Sequence, residues 1–228
     1  MSTESTRRVG RDRWQKVPAT WGAYVRLLKA RARLKRPKYT YHAGRLTIVS
    51  PGYSHGEICS RLTWMTETML VLLGVRFTLP GEVTLKDVGS RDKGTEADAS
   101  YYLSTDKIER LKGRKRIRMG VDPAPDLALE VVVTHPVRDA LEVLGAFGVR
   151  EVWVCKADRV RFLVLEESGR YAESPSSAVL PFLTPEDLTP WVYSADYPEE
   201  MPLRLAFIQH VHDVLAPRYE RTRNEEQP

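Results

Sequence analysis

Cysteine and long apolar runs are both scarce in this chain of 228 residues. Its two cysteines, Cys59 and Cys155, lie in apolar surroundings, which excludes a disulfide framework or a cysteine zinc centre and points to buried thiols. The longest apolar run, Met69 to Val75, falls far short of the ~20 residues that a membrane helix requires. The opening MSTESTRR holds no apolar segment of the secretory type, so the expected compartment is the cytoplasm. Internal repeats and low-complexity tracts are also missing, which argues against a solenoid. Nor is there a strong charge imbalance. A net charge of +5 and a pI near 9.2 are compatible with nucleic acid without identifying it.

What is present reads as one sizeable α/β domain. Its centre is Pro125-Asp-Leu-Ala-Leu-Glu-Val-Val-Val133, a short apolar run with turn signals at both ends, the pattern of a strand buried on both faces. Val137, Leu141, Leu144 and Phe147 then recur at helical spacing, Gly148 stops the helix, and Glu151 to Cys155 reads as the next strand. Upstream, Tyr39 to Val49 reads as a hairpin turning at Ala43-Gly44. A long helix follows, with Ser54 and Glu57 at capping-box spacing and a buried stripe of Ile58, Leu62, Met65, Met69 and Leu72. Strands are expected at Val75–Thr78, Glu82–Lys86 and Ala99–Leu103, and after Cys155 at Val160–Leu165 and near Tyr171. Leu203 to Leu215 fits a terminal helix. The expected division is a flexible arm over 1–19, a domain over 20–192, and a C-terminal helix with a frayed tail over 193–228.

Glu130 raises the chemical question. A carboxylate inside a doubly buried strand must be neutralised, hydrogen-bonded or bound to a cation, because leaving it unpaired costs several kcal/mol. Gly94-Thr-Glu-Ala-Asp98 runs straight into apolar Tyr101-Tyr-Leu103, which puts Asp98 at the mouth of a strand from which it can meet Glu130. Two facing carboxylates repel unless a cation separates them, and Mg²⁺ suits such an oxygen-rich site. The plainer alternative makes Asp98 a turn cap and Glu130 the partner of a local arginine or backbone amide. His55 fits a ligand or acid–base role as well as it fits a helix-cap hydrogen bond, and His135 before Pro136 reads as a turn residue. Between 107 and 118 stand seven Lys or Arg against one acid, Glu109. Such a run is usually solvated surface. Its place between the two acids makes Lys112, Arg114, Lys115 and Arg116 candidates for gripping phosphates.

Five blocks now stand in order: Tyr39-Thr-Tyr-His-Ala-Gly-Arg-Leu46, Ser50-Pro-Gly-Tyr-Ser-His55, Gly94 to Leu103, Pro125 to Glu130, and Gly148-Val-Arg-Glu-Val-Trp153. Together they resemble the Uma-type putative restriction-endonuclease family of the PD-(D/E)XK nuclease superfamily, over about residues 20 to 192. The resemblance implies a restriction-endonuclease-like mixed β-sheet flanked by α-helices, a divalent metal (Mg²⁺ or Mn²⁺), and hydrolysis of DNA phosphodiesters. It places Asp98 and Glu130 on the family's metal-binding acids and His55 on a histidine that these proteins commonly carry. DNA is the implied partner, no membrane is involved, and a second copy of the chain is a further candidate partner.

Two departures bear on activity. Glu96-Ala97-Asp98 replaces the family's Glu-Pro-Asp but keeps the acid. More consequentially, the family places Lys or Arg directly after an Asp on the helix behind the core strand, and here Asp139 is followed by Ala140. Val132, two residues past Glu130, is not a lysine either. Loss of such a charge costs roughly 10²–10³ in rate. Arg138, His135 and Lys86 are the sequence candidates to replace it. The alternative is a catalytically silent nuclease fold that binds DNA or a protein partner.

Overall fold

The computed structural model describes residues 10–31, 36–80, 84–87, 89–114, 117–194 and 199–225. Two five-stranded sheets form the scaffold. The first runs in the order β1 (Arg13–Pro18), β3 (Arg45–Ser50), β2 (Lys38–His42), β5 (Lys93–Thr95), β4 (Leu85–Lys86), with every neighbour antiparallel. The second runs β10 (Tyr171–Ser174), β9 (Arg159–Leu165), β8 (Glu151–Lys156), β7 (Leu127–Val131), β6 (Ala99–Tyr101). Its one parallel pair, β7 with β8, is joined by helix α4 (Arg138–Phe147), so this is the expected mixed sheet. The antiparallel sheet beside it was not foreseen.

The segment Glu96-Ala97-Asp98 crosses from one sheet to the other. Thr95 pairs with Leu85 in the first, and Ala99 pairs with Leu129 in the second. This crossing is where the chemistry gathers.

All five residues of β7 are buried. Leu127, Leu129 and Val131 pack with Leu62, Met65 and Met69 of the long helix α2 (Tyr53–Leu72) and with Trp153. Ala128 faces the other way, into a second cluster with Val132, Leu144 and Val152. By the two-residue period of a strand, Glu130 shares that second face. Gly148 ends α4 at φ +79, the left-handed conformation that glycine adopts without penalty.

Several boundaries differ from the sequence expectation. Arg13–Pro18, assigned to an arm, is an edge strand paired with β3 along its whole length. Helix α2 begins at Tyr53 with Gly52 as its N-cap and no side-chain cap, so the Ser54–Glu57 box is not formed. The segment ahead of β1 comes close at this N-cap: a Cβ on Gly52 would stand 2.5 Å from the Gly10 carbonyl and 2.6 Å from that of Arg11. Leu72, placed in the buried stripe, is 38% exposed. Thr78 makes only an isolated bridge to Tyr102, whereas β5 and a short helix α3 (Thr105–Leu111) arise where no element was expected. Residues 81–83 of the expected strand Glu82–Lys86 lie outside the described residues. The tail is helical well past 218: α6 (Glu200–His210) continues through a π turn (Val211–Leu215) into α7 (Ala216–Glu225).

Candidate active site

Asp98 sits at the seam between the sheets. One carboxylate oxygen, Oδ2, accepts the Val131 backbone N–H at 2.9 Å. The other, Oδ1, meets His55 Nε2 at 3.0 Å and the Lys38 ammonium at 2.9 Å. The same ammonium lies 3.3 Å from Glu130 Oε2. The two acids singled out in the sequence therefore converge, and the cation between them is a lysine at the start of β2. Burial alone would pull the Lys38 pKa down, but the two carboxylates outweigh it and hold the side chain above the usual lysine range. Burial likewise opposes ionisation of Asp98, yet Lys38 and His55 keep its pKa below the ordinary carboxylate value. Glu130 goes the other way. Burial dominates and raises its pKa in spite of Lys38.

Asp12 was not foreseen at all. Its side chain is fully buried directly ahead of β1, where Oδ1 accepts the Gly52 N–H at 2.9 Å. Its Oδ2 lies 2.9 Å from His135 Nδ1 and accepts the Val133 N–H at 3.3 Å. His55 Nδ1 stands 3.3 Å from the same carboxylate, so both nitrogens of His55 face acids. Burial lowers the His55 pKa, but hydrogen bonds to Asp12 and Asp98 prevail and push it up to about 9. His135, read as a turn residue, is buried within this network. Asp12, His55 and His135 also approach one another at metal-ligand spacing, but each of the facing atoms is already engaged in a hydrogen bond.

Glu96, beside Asp98, is committed elsewhere: it pairs with Arg31 and accepts from the Tyr39 N–H at 3.0 Å and the Thr84 hydroxyl at 2.8 Å. A cavity of about 20 Å³ adjoins Glu130, walled also by Lys38, Thr40, Glu96, Asp139 and Ala140 among others. That is room for one water or one ion. The buried Glu130 Oε1 has no hydrogen-bond partner among the described residues. An orphaned carboxylate oxygen, a second carboxylate sharing its counter-ion and a cavity of one-ion size fit a divalent cation with oxygen ligands.

The model of a family described as "putative restriction endonuclease", Uma2, matches residues 21–197. The chain belongs to that family. No curated protein matches it by sequence. Among solved structures it is similar to one described as a putative nuclease belonging to DUF820 from Anabaena variabilis ATCC 29413. The TM-score is 0.51 at 16% identity, over 77% of this chain and 99% of that one, a likeness of fold.

Ala140 stands on α4 where the resemblance led a basic residue to be expected. Arg138 does not replace it, since it is exposed and paired with Glu142 at 2.9 Å. Lys38 reaches the acids from the opposite wall. Its sequence signal was faint: Lys29 to Lys38 holds six Lys or Arg and no acid, a run that reads first as a solvated helix end and loop and second as a phosphate-contacting surface. The strand period carries what signal there is, because Tyr39 and Tyr41 enter one core while Lys38 and Thr40 line the cavity.

The basic run is somewhere else. Lys107 ties Asp126 at 2.6 Å, Lys112 pairs with Glu109, and Arg114 stands 3.5 Å from Asp122. Lys115 and Arg116 lie outside the described residues. Strand β6 leads away from Asp98, and β7 returns toward Glu130, so the segment between them turns at the far end of both. Asp126 precedes Glu130 by roughly 13 Å of extended chain. Lying between two acids in sequence did not bring Lys107, Lys112 and Arg114 to them in space.

Proposed function

We propose that this protein is a divalent-metal-dependent DNA endonuclease whose catalytic cation has moved from helix α4 to Lys38. The observation that carries the reading is the Lys38 ammonium shared by Asp98 and Glu130 beside the orphaned Glu130 Oε1. Asp98 and Glu130 would hold Mg²⁺ or Mn²⁺. Such an ion, when bound, lowers the pKa of a coordinated water and stabilises charge on a phosphoryl oxygen.

The chain's own groups do the rest. The Val131 N–H and His55 Nε2 fix the two oxygens of Asp98, so the carboxylate cannot rotate away from the seam. Lys38 is held charged by its two acids, which suits it to stabilise a phosphate oxygen or orient a water and unsuits it as a general base. Burial of Glu130 keeps bulk water from screening these charges. Exposed Arg11 and Arg13 flank Asp12 in the chain, and exposed Arg36 donates to the Pro51 carbonyl at 3.4 Å; these three are the cations the proposal assigns to backbone phosphates.

Nicking of supercoiled plasmid by the full chain in Mg²⁺ or Mn²⁺, with chelator controls, tests the proposal. Cleavage that chelator abolishes and Lys38→Met lowers by roughly 10²–10³ is the expected result. A folded protein that binds DNA and cuts nothing with either metal would instead be a binding module built on the nuclease fold.

A further inference from the structure

We infer that Asp12 is a positioning residue for the proposed centre, which makes the N-terminal strand part of that centre. The inference rests on the hydrolytic reading of Asp98, Lys38 and Glu130 and adds the device that orients them.

A carboxylate with no solvent exposure is tolerated only when donors satisfy it, and Asp12 gathers them from two separate elements. From the N-cap and first turn of α2 come the Gly52 N–H at 2.9 Å and His55. From the turn after β7 come the Val133 N–H at 3.3 Å and His135 Nδ1 at 2.9 Å, while the Thr134 hydroxyl donates to the Asp12 carbonyl at 2.9 Å. These two segments flank the acids: one leads into α2 and His55, whose far nitrogen reaches Asp98, and the other directly follows Glu130-Val131. Pinning both to one carboxylate fixes their separation.

The chain of contacts is continuous. Asp12 faces His55 Nδ1, His55 Nε2 faces Asp98 Oδ1, Asp98 Oδ1 faces Lys38, and Lys38 faces Glu130. An imidazole between two carboxylates has one ring orientation that serves both. Without Asp12 the ring is free to turn about its side-chain bonds, and Asp98 loses a directed donor. Asp12 touches no position that a substrate phosphate would occupy, so it acts through His55. Outer partners of this kind typically alter activity by about 10–100-fold when removed.

The construction also explains why Gly52 has no side chain. The strand carrying Asp12 approaches so closely that any Cβ there would meet the Gly10 and Arg11 carbonyls. Close docking of strand on helix start is what brings the Asp12 carboxylate within reach of His55.

The test compares Asp12→Asn, His55→Ala and the double variant of the full chain, with far-UV circular dichroism and thermal melting as controls for folding. Asp12→Asn should lower kcat by roughly tenfold or more with KM for plasmid changed less than twofold. In the His55→Ala background the same change should cost nothing further. An unchanged kcat in Asp12→Asn, or losses that simply multiply in the double variant, would overturn the inference. A second readout needs no turnover. The His55 ring protons of the parent should give slowly exchanging NMR signals that Asp12→Asn removes while the fold persists. If those signals survive, Asp12 does not hold the ring. Absence of cleavage in the parent, with the NMR change present, would defeat the hydrolytic reading and leave the positioning of His55 standing.

Discussion

Lys38 and Ala140 wall the same small cavity, the lysine from strand β2 and the alanine from helix α4. The family pattern puts a basic residue on the helix, and this chain offers one from the strand opposite. On the proposed reading, the two positions are alternative origins for one ammonium beside the acids.

A charge exchange follows as the first prediction. Ala140→Lys alone should not help, because a second ammonium would enter a cavity of about 20 Å³ already bordered by Lys38. Overpacking of this sort costs about 1–3 kcal/mol. Lys38→Ala should lower Mg²⁺-dependent cleavage by roughly 10²-fold. Lys38→Ala combined with Ala140→Lys should recover most of that loss. Plasmid nicking and thermal melting of the three variants check it. A double variant no better than Lys38→Ala would show that the two walls are not equivalent.

How far the sequence carries is clearest at the acids. Glu130 in a doubly buried strand and Asp98 at a strand mouth were legible because burial of charge demands an explanation wherever it occurs. The β7–α4–β8 unit was legible from its periodicities, 2 then 3.6. Lys38 was not, since a lysine ending a basic stretch looks solvated until the opposite sheet is known. Asp12 was less visible still. Its partners lie 40 residues and more away, and nothing local in Gly10-Arg-Asp-Arg13 distinguishes an anchor from an arm. Lys112 and Arg114 show a related gap, because proximity to the acids in sequence is not proximity in space.

Glu130→Gln separates function from stability. Glu130 is buried, its pKa is raised by that burial, and one oxygen is unpartnered without a metal. Removing its charge should abolish metal-dependent cleavage while leaving the melting temperature in chelator equal to or above that of the parent. A loss of several degrees would mean that the Lys38–Glu130 contact is a structural ion pair first.

Asp126 is the contrasting carboxylate, committed to the fold. It accepts the Leu103 and Ser104 N–H groups at 2.8 and 2.9 Å, the Ser104 hydroxyl at 2.8 Å and Lys107 at 2.6 Å. Burial works against its ionisation, but these donors prevail and its pKa lies below the ordinary 3.8. A lowered folded-state pKa means that its stabilisation is present above about pH 3.8 and is lost as pH falls through the folded value. Asp126→Asn should therefore cost about 3 kcal/mol at pH 7 and progressively less under acid. Urea unfolding at pH 7 and pH 3 checks the sign. An equal loss at both pH values would remove the charge from the explanation.

The last prediction concerns which cations meet DNA. Lys112 and Arg114 are exposed but already face Glu109 and Asp122, and they stand at the end of the sheet away from Asp98. Arg11 and Arg13 flank Asp12, and Arg36 reaches over Pro51 at the turn that leads to His55. On the proposed reading, the phosphates that neighbour a phosphodiester at the acids meet the second set. Each phosphate contact contributes about 0.9 to the slope of log affinity against log salt on duplex DNA. Arg11→Ser, Arg13→Ser and Arg36→Ser together should flatten that slope markedly, and Lys112→Ser with Arg114→Ser should change it by less than one such contact. Titrations across 50–200 mM salt, with metal withheld to prevent cutting, read the difference. A slope that falls only in the second variant would route the duplex along helix α3 and require the DNA to cross the full length of β7 before reaching Glu130.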